Sequence, residues 1–386
     1  MLADSLRGIR VVDFTQVAAG PVSTQMLADL GADVVKIEAP QGELCRALAP
    51  LVEGQSLGFL ALNGNKRSVA LDLKDPQQRA AALQLAADAD IVVESFRPGV
   101  MQRLGLGYEE VRQRNPRVIY CSVSAYGQEG EWRHKPGVDG VLQAVSGLMS
   151  VTGLPDAPPC KVQVPIVDMV TGYIGAIAIL GALAQRTRDG SGQWLDVGMF
   201  ACAIALQQMS FASYFADGVA PEPIGSAAPY AAPNEALRCA DGWVMLAAYH
   251  PLRWEALCEV LECRELLSDP RFRDLSGRIA NRQELVRLLE ARMMLRPRGE
   301  WLARFEAADI ICAPINDYEE AAASPAFMDA QLAETIHHPV AGELTLLRTP
   351  LRAMGEEPRA RRPAPLVGEH TREVLHAAGI PWEGDN

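Results

Sequence analysis

The sequence is poor in the patterns that announce a metal or a redox centre. Its 386 residues carry six histidines and eight cysteines, and no cysteine pair reads C-x-x-C and no His/Cys group has zinc-site spacing. Scattered, unpaired cysteines suit a reducing cytosol, so the expectation is a cytoplasmic protein without a metal. Positive charge is also in deficit, with 36 Lys+Arg against 48 Asp+Glu and a net charge of −12. This argues against a nucleic-acid partner, which needs a basic face. The Arg-rich stretches at 264–304 and 348–372 are interleaved with acids, as solvated helix faces or subunit contacts are. The most apolar run, "GYIGAIAILGALAQ" (172–185), is shorter than the ~20 residues of a membrane span, and "MLADSLRGIRVVDF" shows no secretory h-region, so no membrane partner is expected. Neither G-x-G-x-x-G nor a Walker A motif occurs, which disfavours NAD and P-loop nucleotides. His250, His337 and His338 precede or approach prolines at turn-like positions, without the spacing of a zinc site or a Ser/His/Asp set. No internal repeat is found.

What is present points to two α/β-rich domains, since 49% of residues are hydrophobic and the chain exceeds one typical domain. "IRVVDF" (9–14) reads as a buried strand, "GPVSTQMLADLGA" (20–32) as a helix with Pro21 at N1 and Gly31 as its stop, and "DVVKIE" (33–38) as a second strand. The βαβ pattern continues through "RSVALDL", "PQQRAAALQLAADA", "DIVVES", "YEEVRQRN" and "RVIYCSV". Strands alternating with helices predict a doubly wound parallel sheet, with ligands at the strands' carboxyl ends, so the loop "TQVAAGP" should line a site. The large domain is assigned to 1–217, with two long helices either side of the strand "GQWLDVG". A Pro/Gly/Ala-rich linker follows at 218–234, then a smaller α+β domain at 235–330. That domain opens on a hairpin around Asp241-Gly242 and continues with helices at 251–263, 281–295 and 299–308. A segment at 331–386, loop-rich from 340 and ending in a helix near 370–378, completes the chain.

One ionisable residue interrupts the apolar stretch "QVPIVDMVTGYIGAIAILGAL" (163–183). Burying an unpaired carboxylate is costly. Asp168 therefore has an ordinary structural use, capping the helix that follows, and a chemical one.

The segments "GIRVVDFTQVAAGPVSTQMLADLGADVVKIEAP", "NKRSVALDLK", "ESFRPGVMQRLGLGYEEVRQRNPRVIYCSVSAYGQEG" and "VPIVDMVTG" occur in an order that resembles family III CoA-transferases, the CaiB/BaiF group, strongly over 6–200 and weakly beyond. The resemblance implies a Rossmann-like large domain completed by the C-terminal segment, and two chains threaded as interlocked rings in a homodimer. It also implies transfer of CoA from an acyl-CoA to a carboxylic acid, with coenzyme A as substrate and no tightly bound cofactor. By the same resemblance Asp168 is the nucleophile, passing through an aspartyl-acyl anhydride and an aspartyl-CoA thioester, and CoA is held by Val17, Ala18, Leu71, Lys74, Phe96 and Arg103. A protein carboxylate is suited to relay a thioester between two acids without releasing it to water. A helix N-terminus beneath Asp168 is expected to keep it ionised. Three departures stand out: Ser95 replaces a frequent Asn, Val138 a frequent Tyr, and "IGSAAPYAAP" (224–233) lacks the glycine run of the family's lid. Two alternatives remain open. The racemase branch pairs its aspartate with a His in "GHD", where this chain reads "PGVDG" (136–140) and valine moves no proton, leaving only His134 nearby. An inert CoA-binding protein of the same fold is the other.

Overall fold

The computed structural model describes residues 2–356 and 360–382. The chain forms two compact units: one comprises Met1–Leu148, Lys161–Val219 and Gln331–Asn386, the other Met149–Cys160 and Ala220–Ala330.

In the large unit the expected alternation appears as β1 (Arg10–Phe14), α1 (Ala19–Asp29), β2 (Asp33–Glu38), a short hairpin β3 (Leu51–Val52) and β4 (Gln55–Ser56), α2 (Leu57–Leu62), β5 (Arg67–Ala70) and α3 (Pro76–Ala87). It continues through β6 (Ile91–Glu94), α4 (Val100–Arg103), α5 (Tyr108–Arg114), β7 (Ile119–Ser124), α6 (Asp139–Val145), α7 (Ile166–Asp189), β8 (Gln193–Gly198), α8 (Met199–Ala205) and α9 (Gln208–Asp217). The six-stranded sheet runs β5-β2-β1-β6-β7-β8 and every pairing is parallel. Counting only its own strands, this is the order 3-2-1-4-5-6, which reverses between β1 and β6 and opens a crevice outside their carboxyl ends.

Alternation along each strand feeds two cores. Val11, Val34, Ile91, Val93 and Cys121 pack with Leu27 of α1 and Ile179 and Ala182 of α7. Val12, Phe14, Val35, Val69, Val92 and Tyr120 pack on the other face with Ala82 and Leu85 of α3.

The small unit holds the antiparallel sheet β9 (Asn234–Cys239), β10 (Gly242–Ala247) and β11 (Ile311–Pro314), in the order β11-β10-β9. Its helices are α10 (Pro251–Val260), α11 (Glu265–Ser268), α12 (Leu275–Ala280), α13 (Arg282–Met293), α14 (Arg298–Ala307), α15 (Tyr318–Ala322) and α16 (Pro325–Ala330). The predicted hairpin turns at Ala240-Asp241, with Gly242 opposite Cys239. The chain then returns to the large unit as the hairpin β12 (Ala333–His338) and β13 (Gly342–Leu347) and the helix α17 (Thr371–Ala377), whose Val374 and Leu375 complete the α3 side of the core.

Several local expectations are corrected. The helix expected to open at Gly20 starts at Ala19, so Pro21 is its third residue and not its first. Proline is tolerated there because the first four helical amides lack intrahelical acceptors. The second long helix is two, α8 and α9, bent by 71°. The loop-rich tail hides the β12–β13 hairpin, and residues 357–359 of that tail lie outside the described residues. The stretch read as a linker is partly core, for Ala231 and Ala232 are buried in the small unit and Ala232 accepts a bond from Arg278 Nε at 2.8 Å.

The apolar run at 172–185 belongs to a 24-residue helix that meets the length and hydropathy of a bilayer span. Its buried side is cut to fit protein. A Cβ at Gly172 would run into Val22 and lie 2.8 Å from the Ala19 carbonyl, and one at Gly175 would lie 2.5 Å from Ser23 Oγ. Ser23 Oγ donates to the Gly172 carbonyl at 2.8 Å, and Arg186 closes the helix on Asp90 at 2.9 Å. Glycine thus sets the close approach of α1 and α7. Gly172→Ala is expected to cost about 1–3 kcal/mol by overpacking, read as a lower urea midpoint; an unchanged midpoint would contradict the fit. The other side of α7 leaves Tyr173, Ile174 and Ile177 exposed.

Candidate functional site

A cleft of about 640 Å³ opens in the large unit where the strand order reverses, a volume typical of small-molecule sites. Gln16, Val17, Ala18 and Gly20 line it after β1, Ser95, Phe96 and Arg97 after β6, and Ser124 and Ala125 at the end of β7. Arg133, Lys135, Pro136 to Val141, Lys161, Asp168 and Met199 form the facing wall.

A buried polar network fixes the first loop. Asp13, fully buried at the end of β1, accepts bonds from Thr15 N at 2.8 Å, Thr24 Oγ1 at 2.7 Å and Lys66 Nζ at 3.1 Å. Burial by itself would raise the Asp13 carboxyl, but Lys66, Lys36 and the two threonines outweigh it and hold it well below the usual carboxylate range. Lys36 Nζ donates to the Thr15 carbonyl at 2.7 Å and pairs with Glu43 at 3.4 Å. Glu43 in turn accepts from Val17 N at 3.1 Å. Val17 sits at φ +66°, a strained conformation for a β-branched residue that persists because its surroundings over-determine it. Across the crevice Ser95 Oγ accepts from Gln16 N at 3.0 Å. Glu94 accepts from Phe96 N at 2.8 Å, and burial pushes its carboxyl up to about 7.

Asp168 is not a cap. The N-cap of α7 is Pro165, and Asp168 stands three residues later, in the first turn. The capping acceptor comes from another helix: Asp139 Oδ2 accepts from Val167 N at 2.8 Å and Asp168 N at 3.2 Å. Asp139 Oδ1 accepts from Gln143 Nε2 at 2.6 Å, while Gln143 Oε1 accepts from Val162 N at 2.9 Å and its Nε2 donates to the Val162 carbonyl at 3.2 Å. Two side chains one turn apart on α6 therefore staple residues 162–168 in place. The helix end was expected to keep Asp168 ionised, and its surroundings act against that preference without abolishing it. Burial, and then the Asp139 charge beside it, push its carboxyl up to about 6. Among the described residues no group donates to its oxygens. The result is a more basic carboxylate than usual, still mostly ionised at pH 7, with its lone pairs free for attack.

Of the residues expected to hold CoA, Val17, Ala18 and Phe96 line the cleft. Leu71, Lys74 and Arg103 do not: the Leu71 side chain is sealed in the core, Lys74 is exposed before α3, and Arg103 is exposed at the end of α4. Val138 lines the cleft and is 67% exposed. His134 is outside the lining and accepts from Arg133 Nε at 3.0 Å. The 224–233 stretch belongs to the small unit. Sequence reasoning missed Asp139, Gln143 and Lys161. The first two had a visible signal, an acid and an amide at i and i+4 opening a helix after "PGV".

The sequence model described as CoA-transferase family III matches residues 6–371. The chain belongs to that family. The family III chain is 34% identical over 372 residues to succinyl-CoA:glutarate CoA-transferase of Mus musculus, covering 96% of this chain and 85% of that protein. It is 40% identical over 320 residues to acetyl-CoA:oxalate CoA-transferase of Acetobacter aceti, covering 82% of each. The crystal structure of a CaiB/BaiF family protein from Brucella suis superposes with a TM-score of 0.86 at 34% identity, over 97% of this chain and 99% of that one. A CoA-transferase of this family takes CoA thioesters as substrates and passes CoA to a free carboxylate, so the cleft that carries Asp168 is the candidate place for that exchange.

Proposed function

We propose that this family III enzyme exchanges CoA between small organic acids by covalent relay through Asp168. An Asp168 oxygen attacks the thioester carbonyl of the donor, giving an aspartyl-acyl anhydride and CoA thiolate. The thiolate attacks the aspartyl carbonyl, which releases the donor acid and leaves aspartyl-CoA. The acceptor carboxylate attacks that thioester, and returning thiolate takes the acyl group of the second anhydride to give the new acyl-CoA and free Asp168. Each bond broken is matched by one formed, so the thioester bond energy is kept. The observation that carries the reading is a partly buried carboxylate, raised to about 6 and free of hydrogen-bond donors among the described residues, in the cleft at the strand-order reversal.

In this reading CoA enters over Val17, Ala18 and Phe96, where backbone and apolar groups suit adenine and pantetheine. Arg97 follows on the same loop to meet phosphates. Lys74 and Arg103 are exposed cations able to meet the distal end, and Leu71 would contribute backbone alone. No tightly bound cofactor is invoked. We further propose a homodimer, interlocked as in the resemblance above, because large apolar side chains are left exposed on two helices, Tyr173, Ile174 and Ile177 of α7 and Met209 and Phe215 of α9. Eight free cysteines suit the cytoplasm. Racemisation is disfavoured by Val138, an aliphatic side chain at the proton-transfer position.

The test is trapping. Incubation with acyl-CoA followed by hydroxylamine or borohydride should leave modification at Asp168 in the peptide mass map. Bound CoA with an unmodified Asp168 would favour the inert binding protein, and α-carbon deuterium exchange without transfer would favour a racemase.

A further inference from the structure

The cleft holds a cation that neither the relay nor the CoA contacts use. Of its four basic residues, Lys135 has its ammonium 3.5 Å from the Trp132 ring centre and Arg133 Nε donates to His134. Arg97 lies on the Phe96 loop, with the CoA contacts. Lys161 is different. The Gln143 bonds to both backbone groups of Val162 fix the adjacent peptide, and its Cδ would lie 3.5 Å from a Cβ built at Gly140. Its stem thus crosses Gly140 beside Asp139, the residue that caps the Asp168 turn. Among the described residues no acid or hydrogen-bond acceptor engages its ammonium.

We propose that Lys161 binds the second carboxylate of a dicarboxylic acid whose first carboxylate is presented to Asp168. This deepens the relay reading and rests on it for the position of the reacting end. An acid seated against Asp168 brings its far end into a wall that carries two carboxylates, Asp139 and Asp168. A second carboxylate there is repelled and partly desolvated unless a cation answers it, whereas a methyl terminus asks for none. One lysine on a pinned backbone in the wall of the same cleft meets that need. It selects the substrate class by charge and leaves chain length to the rest of the wall.

The experiment compares Lys161→Met and Lys161→Arg in the full-length protein with dicarboxylates and chain-matched monocarboxylates, glutarate against valerate and succinate against butyrate. For wild type, kcat/KM should favour the dicarboxylate. Lys161→Met should lower it about tenfold or more for dicarboxylates, mainly through KM, and by less than about twofold for monocarboxylates, with Lys161→Arg recovering most of the loss. Equal losses on both classes, or no loss, overturn the assignment. Calorimetric titration of the same acids into CoA-loaded Asp168→Asn protein, with and without Lys161→Met, separates this from the relay. A dicarboxylate preference that disappears with Lys161 supports the site even if Asp168 is never modified, and one that survives Lys161→Met overturns it even if Asp168 is.

Discussion

Asp168→Asn is expected to lose CoA transfer by at least about 10³-fold while still binding CoA, since the relay has no other nucleophile. In the wild type, kcat/KM should fall on the acid side of pH 6, where the attacking oxygen takes up its proton. The same substitution should make the protein more stable. A carboxylate whose folded pKa is raised, here from 3.8 to about 6, disfavours the native state as pH rises through that interval. The penalty is absent below the unfolded value and complete above the folded one. Asn carries no charge, so the variant should gain about 1–3 kcal/mol in urea unfolding at pH 8 and almost nothing at pH 4. An active Asn variant would sink the mechanism, and equal stability at both pH values would sink the electrostatic account.

The second large effect belongs to Asp139. Asp139→Ala removes the acceptor for two α7 amides, one of them the Asp168 amide, and leaves Gln143 with its Val162 bonds alone. A cap of this kind contributes about 1 kcal/mol, and displacing a reacting group by an ångström can cost about 10²-fold in rate. We expect kcat to fall about 10²-fold and the acid limb of the pH profile to move lower, because the like charge that helps raise Asp168 has gone. Asp139→Asn separates the two contributions. Its amide oxygen can still cap the helix, so the rate loss should be smaller while the acid limb moves just as far. If neither variant shifts that limb, Asp139 is a structural cap alone.

Much of the sheet was legible because β1, β2 and β6 carry short β-branched runs bounded by turn residues, and the helix patterns between the strands point to parallel pairing. The loop holding Val17 and Ala18 followed from the rule that such sheets bind at the carboxyl ends of their strands, whereas the strand order and its reversal point came from the structure. The β12–β13 hairpin was not legible: "AETIHH" and "GELTLL" alternate with little apolar contrast, and only Ile336 and His338 of the first strand are buried. Asp168 was legible as a residue but not in its state. Its sequence neighbours suggest a helix cap kept ionised, yet its basicity comes first from burial and then from Asp139, 29 positions away on α6. The role proposed for Lys161 was illegible too, since it rests on what Gln143 holds beside it and not on the chain on either side.

The large unit is assembled from both ends of the chain, and Val374, Leu375 and Ile380 fill one side of its sheet. During synthesis the smaller unit's residues, ending at Ala330, have all emerged before the last wall of the larger one leaves the ribosome. For that interval the growing polypeptide carries a finished module behind an open apolar sheet, so early termination within the final helix should yield an aggregating product and not a shortened enzyme.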